Sequence, residues 1–266
     1  MPREITAFSN PLVKRIRSLR DKRHRRDEGL FLAEGLRILA EAEEAGSFPE
    51  YLFFAADTAQ HPIVCRLAAS VEANGGEAIE TSRDILHKLS GKDNPQAVIG
   101  VYRQFDTRLT RIDRSASGIW LVAQAMRDPG NLGTMLRTGD AVDAGGLILI
   151  DDTVDPFSVE AVRASMGAMF TQRIAQARWD EFLPWLRAGQ GQLVGLSLDA
   201  SEDYRRPSYE APTFLLVGNE AQGLPADYAA ACDVRVKIPM LGKADSLNAA
   251  ISCAVMAYAV LAQRLP

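Results

Sequence analysis

The sequence of 266 residues has few of the features that build disulfide frameworks, metal sites or membrane spans. Its three cysteines are odd in number and lack metal-ligand spacing, which predicts reduced thiols in a cytoplasmic protein. We find no signal peptide, and the longest apolar stretch, Leu247–Ala262, is shorter than the ~20 residues of a membrane-spanning helix. We therefore expect no membrane partner.

Histidine and phosphate-binding loops are also scarce. The three histidines (His24, His61 and His87) lie in the N-terminal half, which excludes a histidine triad or a histidine-ligated metal in the C-terminal half. No Walker loop is present. Gly189–Gly191 with Gly195 resembles a dinucleotide glycine loop, but it precedes a strand instead of following one, so a plain turn is the better interpretation. Hydride transfer and nucleotide hydrolysis are disfavoured, and we expect no metal.

Charge is distributed unevenly along the chain. The net charge is −4, whereas residues 1–30 carry nine basic and four acidic groups. This basic N-terminal segment predicts a local contact with a polyanion, and a merely solvated helix face is the alternative.

The pattern of apolar residues indicates two α/β domains. Residues 1–105 form a small module, and the polar residues 106–118 form a linker. Residues 119–266 alternate between apolar strands and helices, which predicts a parallel sheet covered on both faces. Because ligands bind beyond the carboxyl ends of such strands, the loops after Ala123, Val217 and Ile238 are candidate sites. The strands predicted in this domain are Ile119–Ala123, Leu147–Ile150, Leu193–Leu198, Phe214–Val217 and Val234–Ile238.

The first of these loops, Asp128–Gly133, leads into a helix. Asn131 is a suitable N-cap, and the free backbone N–H groups behind it can hold an anion. Arg137 lies one turn beyond Gly133 on the same helical face. An ordinary capped helix with a surface arginine is the alternative.

The second loop follows a buried strand that ends at Gly218. The glycine allows a ligand to approach the backbone closely, and Glu220 is a candidate catalytic or ligand-holding carboxylate. An ordinary strand-turn is the alternative.

The third loop runs from Ile238 to the last helix. Ser246 is the expected N-cap, and Asn248 lies in the first turn. The helix is apolar on nearly all sides, so one face is expected to meet a second subunit.

Together, in this order, the three loops resemble the signature motifs of the SpoU/TrmH branch of the SPOUT RNA methyltransferases, over Ile119 to Leu265. The N-terminal hundred residues, with the Phe31–Gly35 segment, resemble the RNA-substrate-binding domain of that family. The resemblance implies an α/β fold: a parallel-sheet SPOUT domain with a trefoil knot, and a smaller domain like ribosomal protein L30e. It also implies a homodimer that uses S-adenosylmethionine to methylate a ribose 2′-hydroxyl of RNA.

The same resemblance assigns roles to individual residues. After Arg137 and Thr138 the sequence departs from the family, with Gly139 where alanine is usual; the glycine weakens the helix by about 1 kcal/mol. The implied catalytic residues are Asn131, Arg137, Glu220, Ser246 and Asn248; the implied cofactor-binding residues are Leu196, Gly218, Asn219, Ile238, Met240 and Leu247; and the basic residues expected to contact RNA are Lys14, Arg15, Arg20, Arg23, Arg25 and Arg26.

Several alternatives remain open at this point. Arg137 is a poor base because the pKa of arginine exceeds about 12, so electrostatic stabilisation of the 2′-oxyanion is the simpler role, although the family is often described with this arginine as base. Ribosomal RNA is favoured over transfer RNA by analogy. Rival interpretations are an inactive RNA-binding relative, which would lack the motif side chains, and an unrelated nucleotide-binding α/β enzyme.

Overall fold

The computed structural model describes residues 2–91 and 96–265. The chain divides into two compact units. The first comprises the chain up to Phe105 together with Asp155–Thr171, and the second comprises Asp106–Val154 and the chain from Gln172 onward.

A five-stranded sheet with the order β1-β4-β3-β5-β2 forms the centre of the first unit. Strands β1, β4 and β3 are parallel, whereas β5 is antiparallel to both β3 and β2. The elements are β1 (Arg3–Ile5), α1 (Pro11–Ser18), α2 (Lys22–Glu28), β2 (Leu30–Glu34), α3 (Leu36–Glu44), β3 (Tyr51–Ala55), α4 (Pro62–Ala73), β4 (Glu77–Thr81), α5 (Arg83–Ser90) and β5 (Val98–Arg103).

The basic N-terminal segment forms two helices, α1 and α2, where the apolar spacing predicts one over Asn10–Arg26. The break has a local cause. The carboxylate of Asp21 accepts a hydrogen bond from the backbone N–H of Arg23 at 2.8 Å, so Asp21 caps the start of a second helix.

Seven strands form the sheet of the second unit, in the order β10-β12-β9-β11-β6-β7-β8. All of its strand pairs are parallel, which confirms the predicted parallel sheet. The elements from residue 119 onward are β6 (Ile119–Gln124), α6 (Pro129–Ala141), β7 (Gly146–Ile150), α7 (Val159–Ser165), β8 (Arg173–Ala177), α8 (Trp179–Arg187), β9 (Gln192–Leu196), β10 (Glu202–Asp203), β11 (Thr213–Val217), α9 (Ala226–Ala230), β12 (Val234–Lys237) and α10 (Ala249–Ala262).

Both faces of this sheet are covered. Phe182 of α8 packs in one cluster with Trp120 of β6 and Phe214 of β11. Side chains alternate along a strand, so Leu121 points to the opposite face, where α10 packs against α6, β6 and β11. The carboxyl ends of the strands are thereby left free to carry loops.

Helix α7 packs with the first unit, although it lies in a stretch that the sequence analysis assigned to the domain 119–266. Its flanking residues Phe157 and Phe170 join an aromatic cluster around Phe31, with ring centroids 5.1 and 6.1 Å from that ring. Beside the cluster, the buried guanidinium of Arg25 donates to the carboxylate of Asp155 at 2.6 Å. Aromatic burial and an ion pair therefore hold residues 155–171 in the first unit.

Candidate active site

A cavity of about 530 Å³ opens at the carboxyl ends of β9, β11 and β12, in the second unit. This is the edge at which parallel α/β sheets bind ligands. The cavity walls include eight of the residues singled out from the sequence: Leu196, Gly218, Asn219, Glu220, Ile238, Met240, Ser246 and Leu247.

A chain of hydrogen bonds joins the three predicted loops. The Nδ2 atom of Asn131 donates to Oε1 of Glu220 at 3.0 Å, and Nδ2 of Asn248 donates to Oδ1 of Asn131 at 2.8 Å. These residues are 89 and 117 positions apart from Asn131 in sequence. The fold therefore brings one residue of each loop into a single polar network beside the cavity.

Glu220 carries the negative charge of this network. Partial burial raises the pKa of its carboxyl, but hydrogen bonds from Asn131 and from backbone N–H groups, including that of Arg127, outweigh this effect and lower the pKa overall. Glu220 is therefore a carboxylate at neutral pH. A fixed negative charge at the cavity wall suits a positively charged ligand.

The caps of the two helices at the site differ from the predicted ones. Asp128 caps α6 by accepting from the N–H of Asn131 at 2.7 Å, which leaves the amide of Asn131 free for the network. Asn248, and not Ser246, caps α10, because its Oδ1 accepts from Ala250 N at 2.9 Å. In both helices, capping fixes the backbone that carries a network residue.

Asn219 lines the cavity, but its side chain is used to hold the loops together. Its Oδ1 accepts from the N–H of Ala221 at 2.9 Å and of Gln222 at 3.2 Å. Its Nδ2 donates 2.8 Å to the carbonyl of Ala125, a residue in the left-handed region with φ of 47°. Asn219 thus fixes the second loop against the first, and we interpret it as a positioning residue.

Gly218 is required by the loop itself. A Cβ atom at this position would lie 2.3 Å from the carbonyl carbon of Gly223 and 2.5 Å from the nitrogen of Leu224. The missing side chain therefore lets the turn pass close to Gly218, and the glycine still lines the cavity, where the close approach of a ligand stays a prediction.

Arg137 is exposed on α6 and does not line the cavity. Within residues 2–91 and 96–265 its guanidinium forms no hydrogen bond or ion pair. The neighbouring departure at Gly139 has a steric cause, because a Cβ atom there would lie 2.8 Å from Oε1 of Gln172 and 3.4 Å from Cδ1 of Leu121. The glycine lets α6 lie close to its neighbours while Arg137 faces solvent.

Sequence reasoning missed three charged residues of the cavity wall: Asp199, Arg235 and Lys237. They follow or lie on β9 and β12, whose side chains alternate between the two faces of the sheet. The alternation of charged Arg235 and Lys237 with buried Val236 is the signal that could have placed both on one face.

The six basic residues predicted to contact RNA do not all have the same surroundings. Lys14, Arg20, Arg23 and Arg26 are exposed, and Arg15 is exposed but donates to Glu28 at 2.6 Å. The assignment of Arg25 to an RNA contact is wrong, because its side chain is only 4% exposed and is paired with Asp155 inside the first unit.

Residues 2–91 and 96–265 contain no group of three or more His, Cys, Asp or Glu side chains arranged to hold a metal ion. None of the helices in these ranges has the length and apolar character that crossing a bilayer requires.

Comparisons with protein families match both halves of the chain. Residues 118–258 match the model of the SpoU rRNA methylase family, and residues 10–100 match that of the MRM3-like substrate-binding domain.

One solved structure and two named methyltransferases are similar to this chain over nearly its whole length. The crystal structure of an AdoMet-bound rRNA methyltransferase from Sinorhizobium meliloti superposes with a TM-score of 0.91 and 38% identity, covering 99% of both chains. The 23S rRNA (guanosine(2553)-2′-O)-methyltransferase RlmP of Bacillus subtilis is 26% identical over 96% of this chain and 98% of its own. The 23S rRNA (uridine(2479)-2′-O)-methyltransferase of Streptomyces viridochromogenes is 30% identical over 92% of this chain and 86% of its own.

Proposed function

Because this chain belongs to the SpoU rRNA methylase family, we propose that it transfers the methyl group of S-adenosylmethionine to a ribose 2′-hydroxyl of ribosomal RNA. One observation carries the proposal: the second and third loops line one cavity, and a single polar network beside it joins a residue from each of the three loops, which are far apart in sequence. The three unpaired cysteines agree with a reaction in the cytoplasm.

The cavity fits the proposed cofactor in size and chemistry. Its volume of about 530 Å³ suits a nucleoside-sized ligand, since small-molecule sites span roughly 300–1,000 Å³. Leu196, Val217 and Leu247 give it apolar walls suitable for a purine ring. The Glu220 carboxylate complements the positive charge of a sulfonium.

When bound, S-adenosylmethionine supplies a methyl group on a positively charged sulfur, a strong electrophile. The residues of this chain must then hold the ribose in line and lower the cost of removing its hydroxyl proton. Asn131 and Asn248 are fixed by Glu220 and by the α10 cap, so their amides form a rigid polar surface beside the cavity. We assign them, with Ser246, to positioning the ribose.

Arg137 is assigned to stabilising the negative charge that develops on the 2′-oxygen, or the neighbouring phosphate. Its permanent positive charge and its lack of a partner among the described residues agree with a group kept for the substrate. Ser246 lies on the cavity wall, whereas Arg137 does not.

A homodimer is the assembly that we assign to the chain. Helix α10 exposes an apolar stripe of Ile251 and Tyr258, which are 48% and 52% exposed and lie seven residues apart, and Leu265, just beyond the end of the helix, is 61% exposed. Leu247, beside the cavity, continues the stripe. An apolar face of this kind marks an interaction surface, and Tyr258→Glu should convert a dimer into a monomer in sedimentation experiments.

The basic N-terminal helices are assigned to the RNA backbone. Lys14, Arg20, Arg23 and Arg26 are exposed and can neutralise phosphates, which gives salt-dependent binding with little sequence preference. The trefoil knot and the L30e-like form of the first unit stay predictions.

Methyl transfer to RNA from cells that lack the protein tests the function. Labelled S-adenosylmethionine is incubated with the purified chain and with ribosomal or transfer RNA, and the methylated riboses are mapped. Arg137→Ala should abolish transfer without changing cofactor affinity, while Arg206→Ala, a change at another exposed arginine, should retain both. A wild-type chain that binds S-adenosylmethionine but methylates neither RNA would overturn the proposal.

A further inference from the structure

Arg127 lies in the loop between β6 and α6, next to the polar network. Its backbone N–H points at Oε2 of Glu220, with the nitrogen and oxygen 3.5 Å apart. The following residue, Asp128, caps α6, so the backbone on both sides of Arg127 is fixed. The backbone from which its side chain extends is therefore held by the same contacts that build the site.

The guanidinium of Arg127 is bound weakly. Its partner is Asp152, with Nη1 2.8 Å from Oδ2, and the two side chains are 62% and 77% exposed. No other side chain in the described ranges pairs with Arg127. An exposed pair of this kind adds little stability because water screens both charges. Another anion that binds the guanidinium can therefore replace Asp152 with little loss of stability.

An RNA substrate needs a cation at this place. The chain beyond residue 30 is acidic overall, and Glu220, Asp128, Asp151 and Asp152 place four carboxylates around the loop. Asp151 is already engaged, since it accepts from Tyr228 and from the backbone of Trp179. A ribose can reach the network only if the repulsion between its flanking phosphates and these carboxylates is offset.

We propose that Arg127 binds a backbone phosphate of the RNA next to the target ribose, and that Asp152 holds the guanidinium until the RNA displaces it. The planar guanidinium can contact a phosphate through two parallel hydrogen bonds, which also orients the strand. This inference rests on the proposed function and adds a substrate-binding residue to it.

The test compares four variants, with ribosomal RNA from cells lacking the protein as the probe. Arg127→Gln should raise KM for RNA roughly tenfold and reduce the slope of log affinity against log salt by about 0.7–0.9, with the affinity for S-adenosylmethionine unchanged. Arg127→Lys should retain the salt slope but not the full affinity. Arg206→Gln, on the exposed turn after β10, is the matched control and should leave both properties unchanged.

Asp152→Asn gives the sharpest result. If Asp152 competes with the phosphate, its removal should strengthen RNA binding severalfold; if the pair is only structural, binding should stay the same or weaken. Unchanged RNA affinity and salt slope in Arg127→Gln, or unchanged or weaker RNA binding in Asp152→Asn, would overturn the inference. These outcomes are distinct from failure of the proposed function, which would appear as a wild-type chain unable to methylate RNA.

Discussion

The buried pair of Arg25 and Asp155 allows a quantitative test of what the basic N-terminal segment does. The guanidinium donates to one carboxylate oxygen at 2.6 and 3.0 Å and to the carbonyls of Leu19 and Arg20 at 2.9 and 2.8 Å. The Arg25 side chain is 4% exposed and that of Asp155 is 13% exposed. Arg25→Met removes all four contacts and leaves a nearly buried carboxylate that has lost its cation and keeps the hydrogen bond from the backbone N–H of Phe157 at 2.9 Å.

Removing one member of a buried pair costs about 3–5 kcal/mol, and we expect a loss of this size in the free energy of unfolding of the first unit. Urea unfolding followed by circular dichroism measures it. Arg23→Met is the matched control, because Arg23 is 81% exposed and lies 3.7 Å from Asp27. Its effect on stability should stay below about 0.5 kcal/mol.

RNA binding should show the opposite pattern. Arg23→Met should weaken binding and lower its salt dependence, whereas Arg25→Met should leave the RNA affinity of the folded protein unchanged. Asp155→Asn should be destabilising in the same way as Arg25→Met and equally silent in RNA binding. A loss below 1 kcal/mol in Arg25→Met, or a selective loss of RNA affinity there, would refute the structural role.

Three further outcomes are expected. Gly218→Ala should weaken S-adenosylmethionine binding at least tenfold in calorimetry, because its Cβ would meet the backbone of the following turn at 2.3 Å; unchanged affinity would contradict this. Native protein should react with Ellman's reagent at the exposed Cys65 alone, because burial raises the pKa of the Cys232 and Cys253 thiols to about 12; three fast thiols would show that this is wrong. Burial raises the pKa of the Glu220 carboxyl, but hydrogen bonds lower this pKa by more, so it lies below the ordinary value of 4.5 in the folded protein. The Glu220 carboxylate therefore stabilises the folded state above pH 4.5, and this stabilisation is lost as the pH falls through the folded-state pKa. The stability of the wild type should therefore decline relative to Glu220→Gln below about pH 4.5, and a difference independent of pH would contradict the assignment.

The site could be predicted to the extent that it follows from strand direction. Once the strands before Gly218 and Ile238 are recognised as parallel, their loops must lie at one edge of the sheet. The wrong caps at Asn131 and Ser246 have a different origin. Several polar residues stand near each helix start, and the direction from which the chain enters decides which of them caps the helix, information that the local sequence does not contain.

Long-range burial explains what sequence reasoning could not predict. The sequence pattern does not predict strand β8, because charged and polar side chains stand between its apolar ones. It does not predict helix α8 either, because that helix contains Pro184. Residues 155–171 belong to the first unit because Phe157 and Phe170 pack with Phe31, which lies more than 120 positions earlier in the chain. No local pattern records such a pairing.

The passage of helix α7 into the first unit has a consequence for anyone who would cut or recombine this protein. A fragment that stops near Phe105 would lack Phe157, Phe170 and the partner of Arg25, and would expose aromatic rings to water. A transplant of the first unit onto another protein must therefore carry two separate stretches of sequence. The same constraint applies to natural recombination, so in chains of this architecture we expect the two units to be inherited together.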